Sequence, residues 1–329
     1  MPRRSVLTIT QLETLLAFPA TELEMARYYT FDDRDLAIIR QRRGAQNRLG
    51  FAIQLCHLRY PGQAMAPEAS PPDGLLRHVS QQLRVNPVLW QDYAQRAETR
   101  REHALELQVA FGYRPFTAAE YRLRRGSLTD FALQTNKAIV VAQQLVEMLR
   151  KDGIIVPLAR VVDRLCAEAL ARGNRLFYQH LTEPLNAELR VRLDKLLTPR
   201  EDARTIVLTW LGQPPGEAKA RNILRHLDRL EVLREVRLPA DLERLVHHGR
   251  LTQLAREGAQ MNAQHLRDLE DVRRHATLAA VLLDTQATVI DESLDMDFTM
   301  ILSASRSKAD TPIHERTEAI CRTRSVLWS

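Results

Sequence analysis

Arg40, Arg42, Arg43 and Gly44, followed by the amides Gln46 and Asn47, sit between two apolar runs in IIRQRRGAQNRLGFAIQLCHLRYPG, residues 38–62. Guanidinium groups fork onto phosphate oxygens and guanine edges, and side-chain amides pair bidentately with adenine in the major groove. On a helix at about 100° per residue, Leu49, Ala52, Ile53 and Cys56 share one face, and Gln46, Asn47, Gly50, Gln54 and His57 share the other. That second strip is polar without fixed charge, and Gly50 has no side chain to obstruct close approach. Arg42, Arg43, Arg48 and Arg59 surround it. Two readings fit. The amides read base edges while the arginines grip phosphates, or the helix is buried on both sides and its amides satisfy internal carbonyls.

A second segment, WQDYAQRAETRREHALELQVAFGYRPF, residues 90–116, repeats the theme. Arg96 and Arg100 lie one turn apart with His103 near their face, Arg101 sits to one side, and Arg114 follows. Trp90, Tyr93 and Ala97 make another face. This is either a solvated basic stripe over an aromatic core or a helix that tracks phosphates. The start, MPRRSVLTIT, adds Arg3 and Arg4. The chain has 47 Lys and Arg against 41 Asp and Glu, a net charge of +6. Lysine occurs only at 137, 151, 195, 219 and 308, so 42 of the 47 are arginine. A GC-rich coding sequence raises the arginine total but does not explain local clusters.

The elements that must position these groups read as helices throughout. Glycine is sparse and helix-start signals recur. Thr30 opens FDDRDLAII with Asp32, Asp33 and Asp35 in the first turn, and Asn86-Pro87 places proline just after a cap. Thr117 with Glu120, and Thr198 with Glu201, form capping boxes. Asn262 caps a helix through HLRDLEDVRRHATLAAVLLDTQATVI. Only IIV, 154–156, suggests a strand. An all-α protein of helix-turn-helix-like units is expected. GQAMAPEASPPDG, 62–74, reads as a linker. The expected division is 1–62 and 63–150 as two helical DNA-binding units, 151–302 as a helical scaffold, and 303–329 as a disordered tail.

Catalytic patterns are absent: no G-x-x-x-x-G-K-[ST], no G-x-S-x-G, no H-E-x-x-H. His247-His248 are neighbours that diverge by about 100° on a helix and do not grip one metal. Asp291, Glu292, Asp295 and Asp297 read as a solvated acidic stretch at a helix end. No cofactor and no metal site are expected. Cys56, Cys166 and Cys321 form no CxxC pair, which suits a reducing cytoplasm, and no apolar run reaches the roughly 18 residues of a membrane span.

The chain resembles the N-terminal part of the transposases of replicative class II bacterial transposons, the Tn-three family. MPRRSVLT, ARYYTFDDRDLAIIRQRRGAQNRLGFAIQLCHLRYPG, YAQRAETRREHALELQVAFGYRPFT and DLERLVHHGRLTQLAREGAQM carry the resemblance, which runs from Met1 to about residue 295. It implies binding of double-stranded DNA at the terminal inverted repeats. It also implies that the family's catalytic carboxylate triad, in an RNase H-like domain, lies beyond this chain. Residues 303–329 match nothing recognised in the family and read as the product of a truncation. The expected function is sequence-specific end binding without catalysis, with inhibition of transposition as its consequence. The alternatives are a part of an active transposition enzyme and a fragment that pairs with full-length transposase.

Overall fold

The helix starts are fixed by side-chain caps that satisfy backbone N–H groups left without an intrahelical partner. Thr8, Thr21 and Asp32 each form reciprocal capping boxes, with Gln11, Glu24 and Asp35. Thr117, Asn186 and Asn262 accept from the third residue beyond. Thr30 closes the second helix rather than opening the third, because Asp32 already supplies the cap. Thr117 accepts from the Glu120 N–H at 3.3 Å, and the Glu120 carboxylate turns to Arg124 at 3.2 Å.

The computed structural model describes residues 5–66, 68–200, 205–214, 216 and 220–307, with side chains up to 295. Among them are α1 (Ile9–Leu15), α2 (Glu22–Tyr29), α3 (Asp33–Arg40), α4 (Ala45–Arg59), α5 (Asp73–Leu83), α6 (Leu89–Ala94), α7 (Ala97–Phe111) and α8 (Ala118–Phe131). Then come α9 (Ala138–Lys151), α10 (Ala159–Thr182), α11 (Ala187–Lys195), α12 (Val207–Leu211), α13 (Ala220–Val236), α14 (His248–Ala259), α15 (Ala263–Asp268) and α16 (Asp271–Ser307). The protein is all-α. Ile154–Val156 is extended but makes only an isolated bridge, Ile154 to Arg114. Its amides instead tie three segments together: Ile155 N–H donates to Arg114 O at 2.9 Å and Val156 N–H to Gly62 O at 2.8 Å.

The chain forms two units, Met1–Leu176 and Phe177–Ser329. The first holds two cores. One, around Tyr29, Phe51, Ile53, Leu75, Trp90 and Tyr93, is built by α2 to α7. The proline-rich segment after α4 therefore joins helices of a single core: Leu55 of α4 and Val79 of α5 lie on its two sides and share that cluster. The other core gathers Leu15 of α1, Leu128 of α8, Leu145 of α9 and Leu165 of α10.

In the second unit, α11, α13 and α14 pack against α16. A Cβ on Gly258 would lie 2.6 Å from Thr277 and Val281, so glycine lets α14 and α16 approach closely. Asp194 accepts from Arg274 Nε at 3.0 Å and meets His275 Nε2 at 3.2 Å. Asn262 caps only the short α15, and Leu269 breaks the run before α16 begins. The helix expected to run on from Asn262 is thus two. The acidic group Asp291, Glu292 and Asp295 lies within α16, not at its end. Residues 303–307 finish α16, and the remaining expected tail, with Cys321, lies outside the described residues.

Candidate nucleic-acid interface

α3 and α4 meet at a short corner, Gln41–Gly44, which Gly44 closes at φ +82°, in the region that favours glycine. α4 then runs into the core. All ten residues from Leu49 to Leu58 are buried, because α2, α3, α5, α6 and α7 surround the helix. Burial splits the expected site residues into two groups.

The first group is committed to the fold. Gln54 is buried, and its Nε2 donates to Tyr93 Oη at 2.7 Å and to Arg100 O at 3.0 Å. Of the two readings of this strip, the internal one holds at Gln54: the amide satisfies a carbonyl and faces no solvent. Gly50 admits the Tyr93 ring rather than an outside ligand; a Cβ there would sit 2.2 Å from the ring carbons. His57 is buried edge-on against Phe18, with centroids 4.7 Å apart. Gln54 and His57 are therefore removed from the exposed strip, because α6 and α7 cover Gln54 and Phe18, in the segment before α2, packs on His57.

Several arginines are held as well. Arg42 pairs with Glu106 and lies over the Phe51 ring, 4.9 Å from its centroid. Arg59 pairs with the buried Asp35 at 2.6 Å. Arg100 donates to Ala94 O at 3.3 Å and Ala66 O at 3.1 Å, beside Trp90. Arg114 reaches Asp152 O at 3.4 Å and Glu120 at 3.9 Å. These guanidinium groups carry positive charge while serving as structural donors.

The second group faces outward. Arg40 and Arg43 at the corner, and Arg96 and Arg101 at the start of α7, are exposed, and none has a carboxylate within ion-pair distance among the described residues. Gln46, Asn47 and Arg48 are half-buried in the first turn of α4, with Asn47 Nδ2 tethered to Arg43 O at 2.9 Å. Arg3 and Arg4 lie outside the described residues. α4 and α7 run antiparallel, since Gln54 meets Arg100, Phe51 meets His103, and Arg42 at the corner meets Glu106. The corner arginines and the α7 start therefore stand near opposite ends of one helix pair.

Burial pushes the His57 imidazole down to about 4, and the nearby Arg100 charge adds to the effect. His103, beside Tyr93 Oη at 3.0 Å, is also lowered by burial. A histidine that resists protonation when folded contributes stability above its ordinary pKa of about 6.5 and loses it as the pH falls toward the folded value. His57 alone should cost about 3 kcal/mol between pH 6.5 and 4, at about 1.4 kcal/mol per unit. Urea unfolding at pH 7 and pH 4.5 checks this. His57→Gln should flatten the slope whatever its effect on absolute stability, and an unchanged slope would remove His57 as the source.

Sequence reasoning assigned nothing to α8 and α10, although Arg160, Arg164 and Arg172 recur at multiples of four residues and Arg175 follows. That spacing was a legible signal of one basic helix face. His247 and His248 are both exposed at the start of α14. Among the described residues no group of three His, Cys, Asp or Glu is placed to hold a metal ion, and no helix is long and apolar enough to cross a membrane.

Residues 6–169 match the family model described as a domain of unknown function, DUF4158. The chain is 47% identical over 296 residues to the transposase for transposon Tn3926 of Escherichia coli, covering 90% of this chain and 30% of that relative. It is 43% identical to the transposase for transposon Tn501 of Pseudomonas aeruginosa, over 97% of this chain and 33% of the relative. It is 32% identical to the transposase for transposon Tn1546 of Enterococcus faecium, over 91% and 31%. The Tn501 match leaves out only about ten residues, so it reaches into 303–329, the segment read from sequence as foreign to the family. Matches of this strength, spanning about a third of each relative's length, make the chain a member of the Tn-three family of transposases.

Proposed function

We propose that this chain binds double-stranded DNA at the terminal inverted repeats of a transposon. The observation that carries the reading is the sorting of the arginines. Arg42, Arg59 and Arg100 are locked into the fold, while Arg40, Arg43, Arg96 and Arg101 stand exposed without carboxylate partners. A rigid frame that presents unpaired guanidinium groups suits phosphate gripping, since these groups give up no internal ion pair on binding. Base reading falls to Gln46, half-buried in the first turn of α4; Asn47 is committed to the corner, with Nδ2 on Arg43 O and Oδ1 buried.

Mobility shift with an end duplex and a random duplex tests this. Four phosphate contacts should lower affinity about a hundredfold between 50 and 200 mM salt. Arg43→Ala and Arg101→Ala should weaken binding to all sequences alike, and Gln46→Ala should reduce discrimination by roughly 1–3 kcal/mol. Equal affinity for end and random duplex, or an affinity indifferent to salt, would remove the reading. By occupying the ends, the chain would compete with a full-length transposase. In a strand-transfer assay with magnesium, adding it should reduce transfer by the full-length enzyme, and it should perform none alone.

A further inference from the structure

α8 and α10 carry a basic surface separate from the α3–α4 corner and the start of α7. The two helices lie side by side and parallel. Arg164 Nε donates to Tyr121 Oη at 3.2 Å, Arg125 meets Glu168 at 3.7 Å, and a Cβ on Gly173 would stand 2.6 Å from that of Ala132. Contacts thus advance together along both chains, which places Arg122 and Arg125 of α8 beside Arg164, Arg172 and Arg175 of α10. Arg125, Arg172 and Arg175 line one shallow opening, and Arg122 and Arg164 line the next.

The charge balance there is one-sided. Glu168 is the acid within the seam, and it already faces Arg125. Arg122, Arg172 and Arg175 are exposed, and no carboxylate lies within ion-pair distance of them among the described residues. Small residues keep the surface open: Ala171 is exposed, and a Cβ on Gly126 would meet nothing within 4 Å. From Arg164 to Arg175 the seam runs ~16 Å at a helical rise of about 1.5 Å per residue. Over that length one strand of a duplex presents about five phosphates. A line of forked cations at that scale fits a string of phosphates better than a single anion.

We propose that the α8–α10 seam is a second phosphate-backbone contact, gripping the same DNA duplex beyond the part held by the corner and α7. It rests on the reading of the chain as a DNA-binding protein. It supplies affinity and footprint length, not sequence preference, because its exposed groups are arginines aimed at a backbone.

The test compares the whole chain with its Arg122→Gln/Arg172→Gln/Arg175→Gln variant. Thermal melting should be unchanged, because the three side chains have no carboxylate partner to lose. With an end duplex at 100 mM salt, the variant's Kd should rise more than tenfold. The slope of log affinity against log salt should become shallower by about 2 to 3, and the preference for end over random duplex should persist. If the unaltered chain binds end DNA and the variant keeps its affinity and salt slope, the seam is not a DNA contact and the corner reading stands. If the unaltered chain binds no DNA, both readings fall. Co-sedimentation with phosphatidylglycerol vesicles supplies the other arm. Vesicle binding lost in the variant while DNA binding is retained would assign the seam to a lipid surface and overturn the proposal.

Discussion

Replacing Gly50 with alanine should cost about 3 kcal/mol or more of folding stability, at or above the upper end of ordinary overpacking. The Tyr93 ring lies flat against the α4 backbone at this position, with three ring carbons 2.2–2.3 Å from where a Cβ would be. The ring cannot retreat cheaply. It is fully buried, its hydroxyl accepts from Gln54 and meets His103 Nδ1, and Trp90 packs beside it at a centroid distance of 5.6 Å. Moving it would break a buried polar chain whose members have no water to turn to. Gly126→Ala is the matching control: it lies on α8 in open space, so it should gain up to about 1 kcal/mol from helix propensity. Urea midpoints for the two variants should move in opposite directions. A Gly50→Ala protein as stable as the parent but weakened in DNA binding would return this glycine to the interface.

Arg59→Ala should cost about 3 kcal/mol, the low end for breaking a buried ion pair, since the arginine is itself partly exposed. Asp35 is 3% exposed. Its carboxylate accepts from Arg59 Nη2 at 2.6 Å and, through the capping box, from the Asp32 N–H at 3.0 Å. Removing the guanidinium leaves a buried charge with one backbone donor. The Arg59 head also sits 5.8 and 5.9 Å from the Phe31 and Phe111 ring centroids, so packing is lost with the charge. A double-mutant cycle with Asp35→Ala should give a coupling above about 1 kcal/mol. DNA affinity of the folded fraction should stay within a fewfold of the parent. A stable Arg59→Ala protein with sharply reduced affinity would show that this arginine grips phosphate after all.

The sequence by itself determined the helical character of the chain and its family. Capping residues are local: Thr117 with Glu120 and Asn262 with His265 act within one turn, so they are readable without the fold. The family rests on long stretches such as FDDRDLAIIRQRRGAQNRLGF, for which identity along the chain is enough. Tertiary structure alone decided which polar residues are free. Periodicity separates two faces of residues 46–59, but it cannot tell whether the second face meets solvent or another helix. Here α6, α7 and Phe18 cover it, so Gln54, His57 and Gly50 became parts of the core. Arginine poses the same problem. Arg42 and Arg43 are neighbours in sequence, yet one faces Glu106 across 64 residues and the other faces water. A guanidinium is committed or available according to the partner that packing brings to it, and that partner is distant along the chain.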